Sequence, residues 1–338
     1  MSPADDPDAT RATSVSTRRA RVGVMLPRDL PPDEVLPFAR RAEALGFDEL
    51  WVVEDLGFRG GVAQAGVVLA STQRIIVGVG ILPAGARNVA FAAMELGTLA
   101  QLFPGRLIAG IGHGMPAWMR DVGAWPDSPL TLLAEYATAL RVLLRGDPGP
   151  ANGRYVHAEG VVIGEAPTVA PPVVLGVRGP RSIAVAGERA DGVLLAEPAT
   201  PPYIEVALAR SGRALGDGFE VITYDVAVVD DDPVRARARV RPALAPFGEP
   251  DWAPHIAPLS FAVAFARHRA EAVSATGFAM TMPDAWVDEL TLGGAPAEVR
   301  ARIAARHDAG ATSCVLIPVG DDRMAALHEL ARVLGHRE

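Results

Sequence analysis

The amino-acid sequence predicts an α/β protein, a (β/α)8 TIM barrel in a single domain, and three observations carry the prediction. Short β-branched apolar runs bounded by Gly, Pro or Asp alternate with helical patterns eight times along the 338 residues. The first four strands start near residues 21, 49, 75 and 106, a spacing of one βα unit each. The runs are apolar on both faces, as strands are when helices cover the outside of a parallel sheet. A doubly wound open sheet is the alternative, but it wants G-x-G-x-x-G after the first strand, and "MLPRDLPPDE" contains no glycine.

Residues 1–20, "MSPADDPDATRATSVSTRRA", are polar without apolar periodicity and read as a disordered tail. Arg18-Arg19 suggests a twin-arginine signal, but the apolar run that follows ends at Pro27, too short for an h-region. The barrel domain is therefore expected over 21–338. "RVGVMLP" is its first strand. In "PDEVLPFARRAEALG", Asp33 is placed to cap the helix and Gly46 to stop it. "DELWVVED" and "GGVAQAGVVLASTQ" form the second unit, "RIIVGVGILP" and "ARNVAFAAMELGTLAQLF" the third, "RLIAGIG" and "PLTLLAEYATALRVLL" the fourth.

The rhythm then breaks over 146–172, where Gly and Pro are too frequent for a helix; a loop with a small β-excursion around "RYVHAEGVVI" is expected. It resumes with "PVVLGVR", "GPRSIAVAGERA", "DGVLLAE", "PPYIEVALARSGRAL", "FEVITYDVAVV" and "DPVRARARVRPALAPF". Residues 248–294 read as a second insertion, irregular apart from the helix-like "FAVAFARHRAEAV". "PAEVRARIAARHDAG", the eighth strand "ATSCVLIPVG" and "DDRMAALHELARVLG" complete the chain.

Composition removes several chemistries. All 32 basic residues are arginine, so a Schiff-base lysine, a P-loop lysine and pyridoxal-phosphate chemistry are excluded. The single cysteine, Cys314, sits in an apolar run, and one chain with one cysteine builds no disulfide, cysteine-ligated zinc or iron–sulfur cluster. The seven histidines form no H-E-x-x-H or H-x-H pair, so no metal site is expected. A net charge of −8 argues against nucleic acid as a partner, and no run reaches the ~18 apolar residues of a membrane span, so a cytoplasmic protein is expected.

Function in a barrel gathers at the carboxyl ends of the strands. Glu54 and Asp55 end the second strand, where adjacent acids are costly unless solvated, used, or capping the next helix. Gly78 and Gly80 line the third, and Gly110, Gly112, His113 and Gly114 the fourth. Side-chain-free strand ends let a flat, large ligand lie against backbone, or simply relieve crowding inside the barrel. "GVRGPRS" pairs Gly179 and Pro180 at a helix start with Arg178 and Arg181, an arrangement suited to phosphate. Gly176 and Glu197 stand at the ends of the fifth and sixth strands.

The segments "GFDELWVVED", "RIIVGVGILP", "GRLIAGIGHG" and "GVRGPRSIAVAGERADGVLLAEP" resemble those of the bacterial-luciferase-like superfamily. The likeness is strongest to its coenzyme F420-dependent branch, which includes methylenetetrahydromethanopterin reductase. It runs from Arg21 to Pro198 and returns at "GATSCVLIPVG". The resemblance implies a flavin or deazaflavin at the carboxyl face, often a homodimer, and a non-proline cis peptide at Gly80-Ile81. It implies hydride transfer between F420 and a small organic substrate, reducing C=C or C=N. Glu54, Asp55 and His113 then hold the hydroxylated ring edge and relay a proton. Gly80, Ile81, Gly112, Gly176 and Glu197 stand around the rings, Arg178, Gly179, Pro180 and Arg181 take the phosphate, and Met115 and Trp118 line the substrate side. Two departures matter. Luciferases using flavin resemble "AEHH" after the second strand, and this chain has Asp55 in the histidine's place; the sugar-phosphate dehydrogenases carry glutamate where Met115 stands. An FMN-dependent monooxygenase and a non-catalytic flavin-binding protein are the competing readings.

Overall fold

The computed structural model describes residues 20–335; the expected tail over 1–20 lies outside it except for Ala20. Strands β1 (Arg21–Met25), β2 (Glu49–Val52), β3 (Ile76–Pro83), β4 (Leu107–Gly112), β5 (Val173–Gly176), β6 (Gly192–Leu195), β7 (Glu220–Val229) and β9 (Ser313–Pro318) pair in parallel. β1 pairs with β9, β9 with β7 and β7 with β6, which closes the sheet into an eight-stranded barrel. The open sheet is thereby excluded. A ninth strand, β8 (Leu292–Gly294), is a three-residue spur on the far end of β7 and was not foreseen.

Period-2 alternation sends Trp51, Ile108, Val174, Leu194, Ile222, Tyr224 and Val315 into the barrel, where they pack as one cluster. The opposite faces join the helices in a larger core. These are α1 (Val35–Leu45), α2 (Gly61–Ser71), α3 (Val89–Leu102), α5 (Pro129–Leu144), α6 (Pro180–Arg189), α7 (Pro201–Ser211), α13 (Pro296–Asp308) and α14 (Arg323–Ala331), whereas α8 (Pro233–Val240) buries Ala236 and Val240 in a separate core. Gly46 closes α1 with φ 96°, as expected of a left-handed C-terminal residue. Asp33 does not cap that helix. The chain enters through a turn in which Glu34 N–H donates to Pro31 O, and Glu34 itself is already helical with no side-chain cap.

The two insertions differ from expectation in opposite directions. No strand forms between 146 and 172; the Glu135 carboxylate of α5 accepts the backbone N–H groups of Arg154, Tyr155 and Val156. One acid thus takes the donors that a partner strand would have paired. The stretch 248–294 is mostly helical. It holds α9 (Ala253–Ile256), α10 (Ala262–Glu271), α11 (Ala275–Thr281) and α12 (Asp284–Leu290), preceded by 3₁₀ turns over Arg241–Gly248 and Pro250–Trp252. Of these helices, α10 is the one expected from "FAVAFARHRAEAV"; the others are too short for the 3.6-residue period to show. They bury Phe247, Phe265, Phe278 and Val287 against Val226 and Val228 of β7, as a second core lodged on the carboxyl side of the barrel.

Candidate active site

A cavity of about 580 Å³ opens at the carboxyl ends of the strands, within the usual range of small-molecule sites. Its floor explains most of the glycines. A Cβ on Gly78 would lie 2.3 Å from Trp51, and one on Gly80 would lie 2.0 Å from the Tyr224 hydroxyl. Trp51 and Tyr224 meet edge to face at 5.8 Å beneath the cavity. The Gly80-Ile81 peptide is cis, as the resemblance implied, and the β3–β4 register shifts there. The Ile81 side chain then leans over the neighbouring strands: a Cβ on Gly176 would stand 2.4 Å from it, and one on Gly112 3.0 Å. A Cβ on Gly110 would strike the Val79 carbonyl at 2.1 Å. The expectation that these bare strand ends make room directly for a ring system is therefore corrected. They make room for Trp51, Tyr224, Ile81 and the neighbouring backbone, which in turn shape the cavity.

Glu54 and Asp55 both line the cavity, but their charges are already answered. Glu54 Oε2 accepts the N–H of Gly61 at the start of α2, and both of its oxygens take Arg87 at 2.6 and 2.9 Å. It is a helix cap and an ion-pair partner, leaving little freedom to relay protons. Asp55 pairs with Arg28, whose guanidinium also lies 4.8 Å above the Phe58 ring at the rim.

His113 lines the cavity at the end of β4, and its Nε2 lies 3.1 Å from Ser182 Oγ on the first turn of α6. Burial pulls the imidazole pKa below its ordinary value, so the ring is neutral at pH 7. Beside this pair stand Arg178 and Gly179. Nothing lies within 4 Å of a Cβ on Gly179, in contrast with the floor glycines. Arg178 lies 4.5 Å over the ring of Trp252 and makes no salt bridge to any described carboxylate. Pro180 is the first residue of α6, as expected, but Pro180 and Arg181 are exposed and outside the cavity lining. Gly112 and Glu197 are also outside it, although their neighbours His113 and Ala196 line it. The Glu197 carbonyl instead accepts the Trp252 indole N–H, and burial raises its carboxyl pKa.

Met115 caps a short helix, α4 (Pro116–Asp121), and with Trp118 faces the cavity as expected. Met119, Val122 and Trp125 extend that apolar wall. Sequence reasoning missed Ser182, Tyr224, Trp125 and the insertion residues Pro250, Asp251 and Pro254, all of which line the cavity. Ser182 follows directly on "GPR", and Tyr224 holds an inward position of β7, so both carried a local signal. The insertion residues carried none. Among the described residues, no group of His, Cys, Asp and Glu is arranged to hold a metal, and no helix is long and apolar enough to cross a membrane.

A closed parallel barrel whose carboxyl face holds a small-molecule cavity with a cationic pole is the plan of a TIM-barrel enzyme. The chain belongs to the luciferase-like monooxygenase family, whose model matches residues 13–313. A 5,10-methylenetetrahydromethanopterin reductase of Methanolobus tindarius is 29% identical over 315 residues, spanning 88% of this chain and 95% of the relative. An F420-dependent glucose-6-phosphate dehydrogenase of Nakamurella multipartita is 30% identical over 62% of this chain and 68% of its own length. The solved structure of a coenzyme F420-dependent tetrahydromethanopterin reductase from Methanopyrus kandleri shares the fold with a TM-score of 0.78 at 23% identity, covering 93% and 98% of the two chains.

Proposed function

We propose that this chain is a cytoplasmic F420-dependent oxidoreductase that moves a hydride between the deazaflavin and a small organic substrate, in the direction of C=C or C=N reduction. The observation that carries the reading is the cationic pole of the cavity: Arg178, which acts electrostatically on the buried Glu197 but forms no salt bridge among the described residues, Gly179 with open space beside it, and the Ser182 hydroxyl at the start of α6. Backbone N–H groups of a first helical turn and a guanidinium together suit a phosphate. The Ile81 bulge and the apolar wall suit a flat ring system beyond it. The Nakamurella multipartita dehydrogenase and the Methanopyrus kandleri reductase named above are F420-dependent, which supports the same choice.

Bound there, the deazaflavin supplies a hydride carrier whose chemistry belongs to the cofactor. The chain's own contributions are position and exclusion of water. Ile81, Met115 and Trp118 line the cavity and keep water from it. Neutral His113, already bonded to Ser182, is placed to hold or pass one proton near the ring edge. Asp55 has a weaker claim, since Arg28 holds it, and Glu54 is committed to Arg87 and α2. A homodimer fits the exposed apolar residues Val67 of α2 and Phe91 and Met94 of α3, which sedimentation would register as a mass of twice 35.4 kDa.

Fluorescence titration of the purified protein with F420 and with FMN tests the reading directly. F420 is expected to bind more tightly, and reduced F420 to be consumed without oxygen. Turnover that requires FMNH₂ and O₂ would replace it with the monooxygenase. Tight flavin binding with no turnover, unchanged on replacing His113 and Asp55, would replace it with a non-catalytic binder.

A further inference from the structure

The cavity's lining is unbalanced in charge: Glu54, Asp55 and Asp251 face it against the single guanidinium of Arg178. The arginines that neutralise Glu54 and Asp55, Arg87 and Arg28, do so from outside the lining. The part of the lining built by α4 and its flanks is Met115, Trp118, Met119, Val122 and Trp125, and Leu56 of the β2–α2 loop adds a further apolar side chain to the cavity. No basic side chain lines that part, and the chain has no lysine to bring there. That part carries no acidic side chain either, and Glu54 and Asp55 are already paired, so an anionic or a cationic group placed against it would lose its water without gaining a counter-charge.

We infer that the substrate of this site is an uncharged, predominantly apolar molecule, an aromatic or alicyclic compound carrying one polarised double bond, and that sugar phosphates and carboxylate-bearing pterins are rejected. The inference rests on the F420 reading only in allotting Arg178 to the cofactor. His113, hydrogen-bonded to Ser182, stands at the junction of the two parts, and this neutral pair offers a partner for a single polar atom of the substrate.

Four probes test it by isothermal calorimetry, on the F420-loaded protein and on the protein alone: 2-acetylnaphthalene, 2-naphthoate, 2-(aminomethyl)naphthalene and glucose 6-phosphate. The first three share a ring and differ in charge. On the F420-loaded protein, where the cofactor takes Arg178, the ketone is expected to bind at least about tenfold more tightly than either charged naphthalene, a gap set by desolvating an unpaired charge, and glucose 6-phosphate to give no heat. Val122→Arg is expected to raise naphthoate affinity relative to the ketone. Ala86→Arg, at an exposed lining position, repeats the test should the first variant fold poorly. Equal or tighter binding of the carboxylate, the amine or the sugar phosphate by the unaltered F420-loaded protein overturns the inference, as does the absence of ketone binding. Failure of F420 to bind, with the same ranking on the protein alone, overturns the cofactor reading and leaves this one standing.

Discussion

The two mouths of the barrel are built from the same residue types and put them to opposite uses. At the amino-terminal mouth, Arg21, Glu49, Glu220 and Ser313 point inward from β1, β2, β7 and β9 and satisfy one another. Glu49 takes Arg21, the Trp51 indole N–H at 2.8 Å and the Ser313 hydroxyl at 2.6 Å; Glu220 takes Arg21 and the Thr312 hydroxyl at 2.6 and 2.7 Å. Glu49 is wholly buried. At the carboxyl-terminal mouth, Arg178 leans on an indole rather than an acid, and the Glu54 and Asp55 charges are drawn off to the side by Arg87 and Arg28. A closed network seals one end; an open guanidinium marks the end that binds. The contrast separates residues that hold the barrel from residues that hold a ligand, although both sets are charged and partly buried.

The sharpest way to break that contrast is Glu49→Ala, which strands Trp51 N–H and Ser313 in the barrel base and leaves Arg21 to Glu220 alone. The expected loss is about 3–5 kcal/mol of stability, the cost of removing one partner of a buried pair, with F420 affinity of the folded protein unchanged; urea melts and titrations decide it. Arg178→Ala is the mirror experiment: about ten- to a hundredfold weaker F420 binding, from losing a charge-assisted contact, and an unaltered thermal midpoint. A fall in stability instead would place Arg178 among the structural charges. Gly176→Ala comes next. Its Cβ would press on Ile81, and an overpacking cost of about 1–3 kcal/mol is expected, together with weaker cofactor binding because Ile81 shapes the cavity.

His255 of α9 yields a pH test of how the insertion is held over the upper mouth. Its ring lies 4.2 Å from that of Tyr203, Nδ1–H donates to Pro198 O, and Nε2 is buried without a partner. Burial, and then the nearby Arg178, push its pKa down to about 3, below the ordinary 6.5. The folded state thus disfavours the charged ring. Stability is full above pH 6.5 and falls as pH drops from 6.5 toward 3, at up to about 1.4 kcal/mol per pH unit from this one group. His255→Phe should flatten that limb of the pH–stability curve relative to the unaltered protein; parallel curves would remove His255 from the account. Arg28→Gln has the smallest expected effect, within about 1 kcal/mol for a largely exposed pair, visible as altered salt dependence at the rim.

Much of the barrel was legible because its cause is local. The runs "RLIAGIG" and "SCVLIP" are strands on β propensity and length alone, and Gly46 ends α1 because that position needs positive φ. Local pattern fails where a segment answers to a distant partner. Residues 154–156 look like a strand, and a single acid on α5 takes their N–H groups instead. In the second insertion only α10 showed in the sequence, as the helix-like "FAVAFARHRAEAV"; the helices of four to seven residues are too brief for periodicity to register, and cohesion comes from the aromatic contacts of Phe261, Phe265, Phe278 and Trp286.

The sequence by itself determined the eight βα units, the absence of lysine chemistry, and the gathering of Asp55, His113, Arg178 and Gly179 at one end of the barrel, since strand polarity alone sends all of them there. Only the tertiary structure decided which of them remain available. Arg87 reaches Glu54 from 33 residues away, Ser182 meets His113 from 69, and Ile81 fills the space that the glycines of β4 and β5 leave. Hydrogen bonds, ion pairs and steric contacts act over a few ångströms of space, and neither composition nor period records which distant residues closure of the barrel brings within that reach.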